Sequence, residues 1–372
     1  MKTLFTTDYK NYDPTWPRSS RPSARAIILT DNPPLSPSNK IALVYAKNLG
    51  YYKFPGGGIH DGEENTAALI REVEEETGLE VIPESIEEAG LVSRIMQSEM
   101  FLQTIFVQDS FHYFCRVKMS PDGTPLIKNQ NLDDYEKDDG FELRIVTLDR
   151  AITTNLRFKS DNYAKLDMIA RETLVMEKLC GIDENLPRAF AETLLEKCVA
   201  KNPGPWREHS YAVAQAAEKI ARATPCLNPD FAYNCGLLHD IGRQMGHTYM
   251  AHVYDGYHYL KNLGYDQLAK ICLTHSFNLH TIEDYIGKID ITDAQYEELK
   301  SLLAATEYDD YDLLIQLLDS TCGADGTKNM EARMNDVKER YGSYPEGKWK
   351  KNFELKAYFE KLMGCDMYDA IK

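Results

Sequence analysis

Hydrophobic and polar positions change their period about halfway along the chain. In the first half, Ala24 to Leu29 (ARAIIL) and Lys40 to Tyr45 (KIALVY) are short apolar runs of strand type. Asp31-Asn32-Pro33-Pro34 between them is a turn signal. Phe101 to Val107 and Phe111 to Val117 flank Gln108-Asp109-Ser110, a pattern that predicts a hairpin. Glu142 to Leu148 (ELRIVTL) predicts another strand. Leu69, Ile70 and Val73 give Asn65 to Thr77 one apolar helical face, with Gly78 as its stop. Asp161 to Leu179 predicts a closing helix.

The second half has helical periodicity almost throughout. Helices are predicted at Phe190 to Ala200, Ser210 to Ala223, Asp230 to His239, Val253 to Leu263, Gln267 to Thr274, Asp293 to Ala305, Asp310 to Ser320 and Asn329 to Tyr341. Strand signals are nearly absent, and the tail after Asn329 predicts packing helices without chemistry. The break falls at the polar stretch between Cys180 and Pro187. A length of 372 residues also suits two domains. The expectation is an α/β domain at 1–182 followed by an all-α domain at 187–372.

Charge narrows the partners. Asp and Glu number 58 against 42 Lys and Arg, a net −16, which argues against wrapping nucleic acid or docking on an anionic membrane. Small phosphorylated ligands stay open, because metal ions can supply the missing positive charge. No run of about 18 apolar residues predicts a membrane span, and the N-terminus lacks a signal-peptide core. The 8 cysteines form no C-x-x-C pair, so reduced thiols in a cytoplasmic protein are expected.

Candidate chemistry in the first half lies in PGGGIHDGEENTAALIREVEEETGL, residues 55–79. Gly56, Gly57 and Gly58 form a permissive loop before the helix. Glu72, Glu75 and Glu76 fall at i, i+3 and i+4, on one helix face, where like charges repel by about 0.2–0.5 kcal/mol per pair. Hard cations such as Mg²⁺ or Mn²⁺ offset that repulsion and bridge to phosphates. A solvated acidic face is the competing reading from composition alone. The full spacing decides otherwise. Gly57, Glu63, Arg71, Glu72, Val73, Glu75, Glu76, Gly78 and Leu79 resemble, without departure, the signature of the Nudix hydrolases.

The resemblance covers roughly residues 22–155 and implies a Nudix-type α/β sandwich, a mixed sheet with flanking helices. It implies that Glu72, Glu75 and Glu76 hold the metal, the last two most directly. Arg71 would orient a glutamate, Glu63 would take a supporting or metal role, and the glycine loop would approach the phosphates. The general base is expected outside the signature. Glu136, in the acidic run 133–139, is the candidate, with a solvated surface loop as the alternative.

Seven of the 9 histidines lie between His209 and His280. His239 and Asp240 sit in GLLHDIGR, where the adjacent leucines suggest burial, and a buried His-Asp pair needs partners. His209 lies at a helix start, His275 ends a helix, and Asp319 stands out in the apolar LLIQLLDS. The order H…HD…D across helices resembles the HD-domain metal phosphohydrolases, over about residues 190–322. That implies His209, His239, Asp240 and Asp319 as ligands of a divalent Mn, Fe, Co or Ni ion. Members with two ions carry two further histidines. His252 and His275 are suitably placed, His258 is a rival for His252, and His247 and His280 look like loop residues. Arg243 either contacts a phosphate or caps a helix.

Together these resemblances imply a bifunctional metal-dependent nucleotide hydrolase. The first half would cleave a pyrophosphate bond in a nucleoside diphosphate derivative, and the second would hydrolyse a phosphate ester. The alternative is that one domain is a silent nucleotide sensor regulating the other. Specificity is expected in loops around Leu91 to Gln108 and Pro121 to Asp139. The oligomeric state is left open, a homodimer being one outcome.

Overall fold

The computed structural model describes residues 1–30, 34–182 and 184–372; the turn expected at Asp31-Asn32-Pro33 lies outside the described residues. The chain separates into two compact units. One is Met1–Ala189 with Asn262–Gly264, the other Phe190–Lys261 with Tyr265–Lys372.

The first unit contains strands β1 (Thr3–Asp8), β2 (Arg18–Ser20), β3 (Ser23–Leu29), β4 (Lys40–Ala46) and β5 (Tyr51–Lys53), then helix α1 (Asn65–Thr77). Strands β6 (Glu87–Gln97) and β7 (Ile105–Cys115), helix α2 (Asp134–Asp139), strand β8 (Phe141–Thr147), and helices α3 (Leu148–Leu156) and α4 (Tyr163–Cys180) follow. The strands form a mixed sheet in the order β1-β6-β7-β3-β4-β5, with β2 on β7 and β8 on β4. β6 and β7 run antiparallel, β7 and β3 parallel.

Helix α1 covers this sheet because its apolar residues share a face. Ala68, Leu69 and Val73 pack with Ala24, Ala26 and Ile28 of β3 and with Tyr113 and Cys115 of β7. The helix stops at Gly78, which takes φ 72° and donates its N–H to the Glu74 carbonyl. The short strand β5 is held by side chains that imitate a neighbouring strand. The Asn155 carbonyl oxygen accepts from the Tyr52 N–H at 2.8 Å, and its amide donates to the Tyr52 carbonyl at 3.0 Å. Glu172 of α4 accepts from the Phe54 N–H at 2.9 Å.

The expected hairpin about Gln108-Asp109-Ser110 is not formed. These residues continue β7, opposite Arg94, Ser93 and Val92 of β6. Their polarity serves cross-strand pairing, since the Ser93 hydroxyl donates to Asp109 at 2.6 Å. Most of Leu91 to Gln108 is therefore sheet, and only the link between Gln97 and Ile105 is loop.

The second unit is helical. It contains α5 (Arg188–Lys201, starting just before the unit boundary), α6 (Trp206–Ala223), α7 (Pro229–Leu238), α8 (Ala251–Asn262), α9 (Asp266–Thr274), α10 (Asp293–Ala305) and α11 (Asp310–Asp319). A small β9–β10 hairpin (Cys322–Gly323, Gly326–Thr327) precedes α12 (Met330–Tyr341), α13 (Glu346–Met363) and α14 (Met367–Ile371). One core cluster joins Met250, Val253, Leu273, Phe277, Leu299 and Leu303. In α6, His209 shares the buried face of Val213, Ala216, Ala217 and Ile220, so the helix aims an imidazole inward. Among the described residues no helix is long and apolar enough to cross a membrane.

Candidate functional site

In the first unit, the glycine loop, Arg71, Glu72, Glu75, Glu76 and Glu136 line one cavity of about 720 Å³. Arg71 organises the acids around it. Its Nε and Nη2 bond both oxygens of Glu63 at 2.9 and 3.0 Å. Its Nη1 reaches Glu72 at 2.7 Å and Glu75 at 3.1 Å, and Nη2 also donates to the Gly58 carbonyl at 3.0 Å. Hydrogen bonds from Arg71 hold the Glu63 carboxyl down at about 2. Gly57 leaves room for the Glu72 carboxylate in its present place. A Cβ there would stand 2.6 Å from the Glu72 carboxylate carbon.

Glu76 differs from its neighbours. It is 1% exposed, and the buried Lys53 ammonium pairs with it at 2.6 Å. Its second oxygen accepts from the Gly56 N–H at 3.0 Å. Burial raises its pKa, against the pull of Lys53. Lys53, on β5, escaped the sequence reading, as did Arg25 on β3, which donates to the Gly56 carbonyl. For Arg25 the available signal was a basic residue inside an otherwise apolar strand, whereas Lys53 ends the short β5 and gave none.

Glu136 lies in α2 rather than in a solvated loop. It is buried and closes a capping box at Asp133. Its oxygens accept from the Asp133 N–H and the Tyr135 hydroxyl, each at 2.8 Å.

In the second unit six residues converge from four helices and the turn after α7. His209, His239 and Asp240 offer ligand atoms within 4.8 Å of one another, and so do Asp240, His252 and His275. Asp319 joins the first group, its Oδ1 lying 3.0 Å from His209 Nε2 and 3.9 Å from His239 Nε2. Asp240 belongs to both groups, with its Oδ1 at 3.2 Å from His252 Nε2 and 3.7 Å from His275 Nε2.

The imidazoles are oriented by their far sides. Nδ1 of His239 meets the Gly236 carbonyl at 2.7 Å, and Nδ1 of His275 the Cys272 carbonyl at 2.9 Å; Nδ1 of His252 meets the Tyr249 carbonyl. A carbonyl only accepts, so each Nδ1 carries the proton and each Nε2 presents a lone pair inward. His239 Nε2 then stands 3.3 Å from His209 Nε2, and His252 Nε2 stands 3.2 Å from His275 Nε2. Burial keeps His275 neutral, pushed down to about 3, and lowers His239 as well. Facing lone pairs with carboxylates between them are a donor set for divalent cations, and the residues fit such ions. Asp319 is about a third exposed, and its hydrogen bond with His209 holds its carboxyl far below the usual range.

Arg243 donates from Nε to Asp240 Oδ2 at 2.6 Å. The turn carrying Asp240 sits tightly on α8, because a Cβ on Gly242 would overlap the His252 carbonyl. The remaining histidines lie outside both groups. His258 faces Glu298 at 3.2 Å, His280 Nε2 meets the Leu303 carbonyl at 2.8 Å, and His247 is exposed.

Comparisons with known proteins match both halves. The NUDIX domain family model matches residues 21–165, and the HD domain model residues 206–323. Among solved structures, a MutT NUDIX hydrolase from Burkholderia pseudomallei is 21% identical with TM-score 0.24, covering 35% of this chain and 85% of that one. A NUDIX hydrolase from Nitrosomonas europaea is 17% identical with TM-score 0.27, covering 46% and 94%. No curated protein matches significantly.

Proposed function

We propose that this chain, a NUDIX domain joined to an HD domain and therefore a hydrolase of phosphorus-containing compounds, is bifunctional and acts on nucleotides in both halves. The first half cleaves the pyrophosphate bond of a nucleoside diphosphate derivative. The second hydrolyses a phosphate ester. The observation that carries the reading is a separate set of converging donors in each unit.

In the first half, Glu72, Glu75 and Glu76 are the residues to hold Mg²⁺ or Mn²⁺, which supplies charge neutralisation at the bridging phosphates. Arg71 fixes the direction of Glu72 and Glu75, and Glu63 fixes Arg71. Glu136 accepts the proton of the attacking water, with Tyr135 and the Asp133 N–H holding its carboxylate in place. Water adds across the P–O–P bridge: one phosphoryl gains the hydroxyl, the other leaves as a phosphate, and no redox partner is needed. In the second half, His209, His239, Asp240 and Asp319 make one position for a divalent transition metal. Asp240, His252 and His275 make a second beside it. Arg243 holds Asp240 ionised for both.

Two measurements test this. Glu75→Gln should lower metal-dependent pyrophosphatase activity at least about 100-fold across a nucleotide panel; unchanged activity refutes the first assignment. Metal analysis should find one ion fewer in His275→Ala and both lost from the second unit in Asp240→Ala. Equal occupancy in the two variants refutes the shared position of Asp240.

A further inference from the structure

Next to the catalytic cavity of the first unit lies a second, of about 200 Å³. The two share Arg25, Gln108, Ala164 and Met168 in their walls, so they are adjacent. Liquid water takes roughly 30 Å³ per molecule, so the smaller cavity has room for a phosphate-sized group.

Its walls carry three guanidinium groups, Arg25, Arg94 and Arg171, against the single carboxylate of Glu172. That carboxylate already accepts from the Phe54 N–H at 2.9 Å. Behind the wall, buried Asp167 pairs with Arg94 at 2.8 Å and with Arg171 at 3.3 Å, and also takes the Tyr9 hydroxyl. Three positive groups thus face two negative ones, leaving one positive charge over. His112 adds none, since burial pushes it down to about 4. Arg94 is 13% exposed, and its Nε is buried without a hydrogen-bond partner. A buried charged donor left unpaired is costly, and an anion in the cavity removes that cost. Planar guanidinium forks suit phosphate oxygens in particular.

We propose that this cavity is a subsite for a phosphomonoester carried by the substrate apart from its pyrophosphate, as on the ribose of a nucleoside. The inference rests on the pyrophosphatase reading of the first unit and adds a substrate class to it. Arg94 is a specificity determinant of that subsite, with Arg171 and Arg25 completing the positive wall.

The test uses the full chain with Mg²⁺ and matched pairs of pyrophosphates, NADP against NAD and coenzyme A against its dephospho form. The phosphorylated member should be preferred in kcat/KM by about tenfold or more. Arg94→Gln should bring that preference close to one while leaving the unphosphorylated member's rate unchanged, and Arg94→Lys should retain part of it. Asp167 keeps Arg171 and Tyr9 in both variants, and circular dichroism checks their fold. Calorimetry of adenosine 2′,5′-bisphosphate against AMP, without metal, reads the subsite apart from turnover. Equal rates for both members of each pair, or a preference unaltered in Arg94→Gln, overturn the proposal. If no pair is cleaved, turnover of these pyrophosphates by the first unit is ruled out. The subsite then stands on tighter bisphosphate binding that Arg94→Gln abolishes, and falls if bisphosphate and AMP bind alike.

Discussion

Replacing Lys53 by Met separates a metal ligand from a structural ion pair at Glu76. Met keeps most of the lysine stem, which runs beside Phe141, with the ammonium 4.7 Å from the ring centre. What disappears is the charge 2.6 Å from Glu76. At an effective dielectric near 20, that distance corresponds to about 6 kcal/mol of attraction. Desolvation takes back part of it, and removing one partner of a buried pair usually costs about 3–5 kcal/mol. In a unit of this size each kcal/mol moves the melting temperature by roughly 2–4 °C, so without metal the transition should fall by roughly 6–20 °C.

Mg²⁺ then discriminates. In the wild type a cation at Glu76 must displace Lys53, whereas in Lys53→Met it replaces a missing charge. Saturating Mg²⁺ should therefore raise the variant's transition more than the wild type's. At about 100 times the dissociation constant, binding alone contributes about 2.7 kcal/mol. Scanning calorimetry of both proteins over a Mg²⁺ series gives the answer. An equal rise in both would refute Glu76 as a ligand and leave Lys53–Glu76 as a purely structural pair.

Two further outcomes follow from the same unit. His112 is held neutral by burial at about 4, below the ordinary value near 6.5, so the unfolded chain takes a proton that the native one refuses. Stability is intact above about pH 6.5 and falls by about 3 kcal/mol as pH drops to 4. In urea titrations, His112→Leu should lack this share of the acid loss. A pH slope identical to the wild type's contradicts the assignment. Gly57→Ala should leave the fold intact, because no left-handed φ is demanded there, yet push the Glu72 carboxylate aside. A drop of about 100-fold in kcat with an unchanged melting temperature is expected; full activity contradicts the close approach.

Legibility in the sequence followed distance along the chain. Helix α1 was readable to its ends, because its apolar face, its acids and its Gly78 stop lie within a few turns of each other. The cluster of imidazoles and carboxylates in the second unit was foreshadowed because His209, His275 and Asp319 sit at the ends of periodic helices. Contacts made by topology were not. Lys53 reaches Glu76 across 23 residues of sequence through the folding of the sheet, and no local pattern records that. Strand β6 and the middle of β7 were missed for a related reason. Arg94, Ser93, Gln108 and Asp109 are polar because they pair with each other across the ladder or face a polar cavity, and such residues imitate a turn when read in a line. The Nδ1–carbonyl bonds that fix the imidazoles likewise leave no trace in composition.

Asp240 has one carboxylate and two sets of neighbours. Whatever charge gathers among His252 and His275 is felt, through that carboxylate, by His209 and His239. Thermodynamic reciprocity then applies: if loading one side changes affinity on the other by some factor, the reverse loading changes it by the same factor. Under the proposed function the two positions therefore form a single coupled device, whose filling follows the free concentration of metal along one joint curve rather than two independent ones.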